Sequence, residues 1–311
     1  MIWANVHWIP LAAFILLPTT FITTYALSVY LHDVAPEFPY ISDTGTNSPE
    51  SCIFSQFLNI TAFLYLFTIY LRYKQIEQYY RDHLSLESPK IMSRNRWSLF
   101  VGVIACLGLS IVANFQETNL IIVHLIGAFT CFGCGMIYCW IQTWISFKAY
   151  PIVNSRSCAI FRFFLCTIMT ITFVIQSVCG PLAFKFYDGD NPRKWTIKDG
   201  GYWLHISASI AEWIMALSLD IFIGTYITEM RKISMSSPKV LFLVENVNIL
   251  SANYPFTNDD QVEVYHGSNS PDSLRRDINS LHTNFRNRPN SGTGNGGGVQ
   301  VGSINNQVLI H

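Results

Sequence analysis

Six apolar runs, near residues 10–30, 53–72, 98–115, 120–146, 160–184 and 203–227, constrain this chain more than any motif does. A helix needs about 20 apolar residues to cross the roughly 30 Å hydrocarbon core of a bilayer, and each run approaches or reaches that length. Half of the residues are hydrophobic and 13% are charged, well under the roughly 25% charged of soluble domains. The expected fold class is therefore an all-α integral membrane protein with six transmembrane helices. Only Gln116 to Asn119 separates the third run from the fourth, which calls for a tight helical hairpin.

No Lys or Arg precedes the first run and no small-residue cleavage pattern follows it, so the first span is expected to stay in the membrane. Basic residues in short loops are retained on the cytoplasmic side. The expected loop 72–97 carries Arg72, Lys74, Arg81, Lys90, Arg94 and Arg96. The next loop on that side adds Lys148, Arg156 and Arg162, and the chain after the last span adds Arg231, Lys232 and Lys239. These twelve oppose four on the other side, Lys185, Arg193, Lys194 and Lys198, so both termini are expected in the cytoplasm. A formal net charge of zero gives no reason to expect a nucleic-acid partner.

Two regions follow from composition. Residues 1–232 form the expected six-helix domain. Residues 233–311 turn to Asn, Ser, Asp and Gly and end in a Gly-rich run at 291–298. Such a segment buries too little apolar surface to offset its ordering entropy, so a mostly disordered cytoplasmic tail is expected, with Val240 to Leu250 as a short sticky element. Of the eight cysteines, six fall within the spans, Cys158 in an inner loop and Cys52 near the outer face. Cys131 and Cys134 lack the second pair a zinc site needs, so these side chains are read as packing groups and no metal or cofactor is assigned.

Three sets of residues stand out within the spans. Gly127, Cys131 and Gly135 recur every four residues, a flat stripe that another helix backbone can approach closely. His205, Ser209 and Glu212 lie at i, i+4 and i+7 and share one face of the sixth helix. Glu212 is the deepest ionisable group, about 13 Å below Trp203 at 1.5 Å per residue, where a charge costs roughly 2.5 kcal/mol or more on insertion scales. It is expected to be neutral, paired or facing water, either on a proton or substrate path or as a structural group tying helices together. Asp220 lies further along, toward the inner interface, and is expected to be wetted.

The third set shares a depth: Asp43, Glu117, His124 and His205 all fall at or just below the outer face. Histidine titrates between about pH 5 and 8, so such a group could sense pH on that side, while the plain alternative is separate hydrogen bonding at a wet interface. The first outer loop carries Pro39 to Ser51, with two prolines, an Asp-Thr-Gly turn signal and no basic residue, which favours a fixed loop. Asp-Thr-Gly also marks aspartic proteases, but no second copy exists to complete a catalytic pair.

Pro39-Tyr-Ile-Ser-Asp-Thr-Gly45, Ile111-Val-Ala-Asn-Phe-Gln-Glu117, His124 and Ser207-Ala-Ser-Ile-Ala-Glu-Trp213, in that order, resemble the damage-regulated autophagy modulator (DRAM) family over about residues 5–230. That family sits in a wider six-span group that includes proteins of GPI-anchor lipid remodelling and regulators of phosphatidylinositol 4-kinase complexes. The resemblance implies a six-helix protein with cytoplasmic termini, a place in lysosomal or late endosomal membranes, with some relatives at the plasma membrane, and a role promoting autophagy. It supplies no catalytic residues, and none are assigned.

The expected function is a non-enzymatic membrane regulator of autophagy or lysosome function. Its expected partners are the bilayer, other membrane proteins, and anionic lipid at the 72–97 loop, where each nearby basic charge is worth about 1 kcal/mol. The alternatives are a regulator of plasma-membrane phosphoinositide kinase complexes, and a transporter or lipid-handling protein using Glu212, His205 and Gln176. Pro18 and Gly180-Pro181 are the places where a transporter's broken helices would fall. Tyr73-Lys-Gln-Ile76 fits a tyrosine sorting pattern but starts beside the membrane, and the sequon Asn59-Ile-Thr61 lies inside the second span.

Overall fold

In lipid a backbone N–H or C=O finds no water, so each apolar run has to satisfy its own hydrogen bonds as a helix. The computed structural model describes residues 2–3, 5–83 and 89–236. Its helices are α1 (Trp8–Tyr30), α2 (Glu50–His83), α3 (Pro89–Asn114), α4 (Ile121–Ala149), α5 (Arg156–Phe186), α6 (Tyr202–Gly224) and a short α7 (Tyr226–Met230) that continues α6. Counting Tyr202–Met230 as one span, six helices are long and apolar enough to cross a membrane. The expectations for the tail from residue 237 onward lie outside the described residues.

Each helix packs on the next in chain order, and α1 closes the ring against α6. Ile2–Trp3 pairs antiparallel with Met235–Ser236, so the chain enters and leaves the bundle at the same end. The expected hairpin between the third and fourth spans is present, with Leu120 N donating to Gln116 O at 3.1 Å. Close approach of α3 and α4 comes from glycine. A Cβ on Gly108 would lie 2.5 Å from Cys131 N and 2.8 Å from Gly127 O, so Gly108 seats in the stripe that the four-residue spacing marked. Within the bilayer this van der Waals fit replaces the hydrophobic drive that water gives soluble cores.

Two expectations are corrected here. Residues 72–97 are not a loop: α2 runs to His83 and α3 starts at Pro89, which leaves only a short connection. The reason is a second apolar cluster, Ile76, Tyr80, Ile91, Ile145, Ala149 and Val153, which packs both extensions onto α4. Lys74 and Arg81 bracket Glu77 one turn away on the outer side of the same helix. Ile76 is therefore fully buried on a helix, which removes Tyr73-Lys-Gln-Ile76 as an extended sorting peptide. Second, neither proline breaks its span. Pro18 lies inside α1 and Pro181 inside α5.

Candidate functional site

The loop between α1 and α2, expected on the outer side, folds into the end of the bundle away from the termini. Tyr40 to Thr46 are all buried, and Ser42–Gly45 form a single 3-10 turn. A glycine is needed at 45, because a Cβ there would sit 2.4 Å from the Phe54 ring. The polar stripe of α6 is what holds this loop. Glu212 Oε2 accepts from Ile41 N at 2.9 Å, and Pro39 O accepts from Ser209 Oγ at 2.8 Å and from Trp213 Nε1 at 3.0 Å. Ser42 Oγ donates to Glu117 Oε2 at 2.8 Å, and the Thr24 and Thr44 hydroxyls meet at 3.0 Å. From the third outer loop, Arg193 Nη1 donates to Thr46 Oγ1 and Asn47 Oδ1, each at 3.0 Å.

The five residues singled out by sequence separate into two groups. Asp43, Glu117 and Glu212 act on one another as like charges around the docked loop, and Arg193 opposes them. Burial, then Glu117 and Glu212, hold the Asp43 carboxyl well above the usual carboxylate range. His124 sits beneath this group, its Nδ1 donating to Phe115 O at 2.7 Å, which pins the start of α4 to the end of α3. His205 stands apart. Its ring is stacked on Trp195 at 4.4 Å and meets the edge of Tyr40 at 4.8 Å. Neither histidine is hydrogen-bonded to Asp43 or Glu117 among the described residues.

Below the loop lies a cavity of about 50 Å³ whose wall includes Phe21, Phe54, Leu58, Tyr65, Phe132 and Glu212. Tyr65 links it to the next polar pair down the bundle by donating to Asp220 Oδ1 at 2.6 Å. Asp220 is 1% exposed, which overturns the expectation that it is wetted. Its tyrosine partner comes from α2, and no spacing in the sequence connects the two.

The end of the bundle that carries both chain termini holds a group that sequence reasoning placed wrongly. Arg72 and Arg162 count as loop residues by position, yet both are fully buried. They converge on Glu229: Arg72 Nη1 reaches Oε2 at 2.5 Å, and Arg162 Nη2 lies 2.8 Å from Oε1, off line for a hydrogen bond. Gln142 Oε1 accepts from Arg72 Nε at 3.1 Å, and Ser146 Oγ and Thr225 Oγ1 accept from Arg162 at 2.7 and 2.8 Å. Both guanidinium groups also lie over the Tyr226 ring, at 5.2 and 4.5 Å. One signal was available: Arg162 stands between Phe161 and Phe163 in an otherwise apolar stretch, where a free charge is too costly to leave unpaired.

Gln176 Oε1 is buried on α5 without a partner among the described residues, and Gln176 does not line the cavity with Glu212. The eight cysteines are all free thiols. Asn59 of the sequon lies within α2, hydrogen-bonded to Ser110 and Asn114 of α3.

A ring of six membrane-spanning helices, plugged at one end by an inward-folded loop and tied at the other by a buried arginine pair, defines a multi-pass membrane protein with a fixed interior. The family described as Frag1/DRAM/Sfk1/Cwh43P N-terminal domain matches residues 5–233, and the chain belongs to it. DNA damage-regulated autophagy modulator protein 2 of Homo sapiens is 38% identical over 234 residues, 74% of this chain and 86% of that protein. DNA damage-regulated autophagy modulator protein 1 of Xenopus laevis is 35% identical over 215 residues, 69% of this chain and 86% of that protein. Modulator of macroautophagy TMEM150B of Danio rerio is 31% identical over 212 residues, 67% of this chain and 78% of that protein. No solved structure matches.

Proposed function

We propose that this protein is a non-enzymatic multi-pass regulator of autophagy that works in the lysosomal or late endosomal membrane with both termini in the cytoplasm. The observation that carries the reading is the likeness to named autophagy modulators across the whole six-helix unit. The architecture agrees with a regulator that acts by contact. Its polar interior is spent on joining elements: α6 to the outer loop, α2 to α6, and α2 and α5 to α7.

Orientation is supported by the exposed charges that remain once Arg72 and Arg162 are recognised as core. Lys74, Arg81, Lys90, Arg94, Arg96, Lys148, Arg156, Arg231 and Lys232 are exposed at one end of the bundle. That surface, made by the ends of α2 and α3 rather than by a loop, suits anionic lipid of the cytoplasmic leaflet. Other membrane proteins are engaged through lipid-facing helix sides and the exposed parts of the outer loops.

The test is to delete the gene, restore the protein with a C-terminal tag, image it with lysosomal and plasma-membrane markers, and follow autophagic flux. Lysosomal residence with restored flux is expected. Plasma-membrane residence with flux unchanged by deletion would overturn the reading in favour of a phosphoinositide-kinase regulator.

A further inference from the structure

We propose that the cavity beside Glu212 binds a short primary amine, with the ammonium on the free Glu212 oxygen and the apolar body among Phe21, Leu58 and Phe132. The inference is independent of the autophagy reading. Glu212 is 6% exposed and faces this cavity. Its Oε2 is committed to Ile41 N, while Oε1 receives no hydrogen bond from the described residues. A carboxyl oxygen left open toward a void is an acceptor held ready for a donor, and an ammonium group would supply the counter-charge that a carboxylate buried there needs.

The sign of the ligand follows from the surrounding charge. No Lys or Arg lines the cavity. His124, the one imidazole in the lining, donates its Nδ1 proton to Phe115 O. Glu117, which accepts from Ser42 Oγ, adds a carboxylate on the loop side, and the Arg193 guanidinium is engaged with Thr46 and Asn47. A cation is therefore the complement, and an anion is opposed. Phe21 and Phe54, whose rings lie 6.5 Å apart, add aromatic surface for the apolar body.

The body of the ligand is set by the walls and the size. Leu17, Leu109, Val112 and Ala128 complete an apolar lining with few polar edges. At roughly 10–15 Å³ per water, a cavity of about 50 Å³ holds roughly three to five water-sized groups. That suits a short alkyl or small cyclic amine and excludes a full lipid. The apolar walls contribute by burial, and the carboxylate fixes orientation, the usual division of labour in a small-molecule site.

The experiment measures thermal unfolding of the purified full chain in detergent with butylamine, butanol and butanoate at matched concentrations. Butylamine alone is expected to raise the unfolding temperature, with an apparent affinity lowered at least about tenfold in Glu212→Gln, since a hydrogen bond to a charged group is worth that much. Ala128→Leu fills the cavity from its side wall and leaves the carboxylate in place, and it is expected to abolish the shift. If Glu212→Gln does not fold, Ala128→Leu and the comparison of amine with alcohol still decide. Equal stabilisation by butanol, no shift with butylamine, or a full shift in folded Ala128→Leu would each overturn the proposal.

Discussion

Glu229→Gln keeps the side-chain volume and removes the one carboxylate that stands between two guanidinium groups. In the native protein Arg72 and Arg162 have fully buried side chains and that of Glu229 is 3% exposed, with contacts of 2.5 and 2.8 Å. At an effective dielectric of about 20, opposite charges about 4 Å apart attract by about 4 kcal/mol, so the two contacts together offset much of the cost of burying three ions, several kcal/mol each. The variant loses the attraction, keeps the buried cations, and sets them against each other. Breaking a buried pair in this way costs about 3–5 kcal/mol, a large share of the roughly 5–15 kcal/mol that holds a folded protein together. Equilibrium unfolding of purified protein in mixed micelles, titrated with a denaturing detergent and followed by circular dichroism, reads the loss. The triple variant Arg72→Met, Arg162→Met, Glu229→Leu should recover most of it, because apolar replacement of a whole buried ion group is often neutral or better. A single variant within about 1 kcal/mol of the native protein would refute the reasoning.

Other outcomes follow from the outer end. Because the folded state holds the Asp43 carboxyl above its unfolded value, folding is favoured at low pH and that advantage is lost as pH rises through the folded value. Asp43→Asn should flatten this dependence and stabilise the loop at neutral pH, measured as unfolding temperature against pH; an unchanged slope would count against it. Glu212→Ala should leave the helices formed but speed amide exchange at residues 40–46, since Ile41 N loses its acceptor. Gly45→Ala places a methyl group against the Phe54 ring and is expected to cost about 1–3 kcal/mol in the same micelle titration. Gly108→Leu should be worse, because its obstruction is backbone of α4 rather than a movable ring.

The six spans and the tight turn at 116–119 were legible because a bilayer leaves a long apolar run no other stable form. The stripe His205, Ser209, Glu212 was also legible, since helical spacing alone puts its members on one face. What that stripe touches was not, because the docking of residues 39–46 depends on backbone groups of a loop with no periodicity. Arg72, Arg162 and Asp220 were misjudged, and Glu229 was passed over, for a related reason. A charge near the end of an apolar run marks a boundary when it is solvated and an interior tie when it is paired, and the partners lie on other helices.

The most distinctive run of the outer loop is interior in everything but its position along the chain. Tyr40 to Thr46 point into the bundle, while Glu37, Phe38, Ser48 and Pro49 stand exposed on either side. An antibody, a protease or a binding protein that approaches this end therefore meets the flanks and not the run. Pro39 to Gly45 thus serve to close the bundle, and the exposed flanks are left free to choose its company.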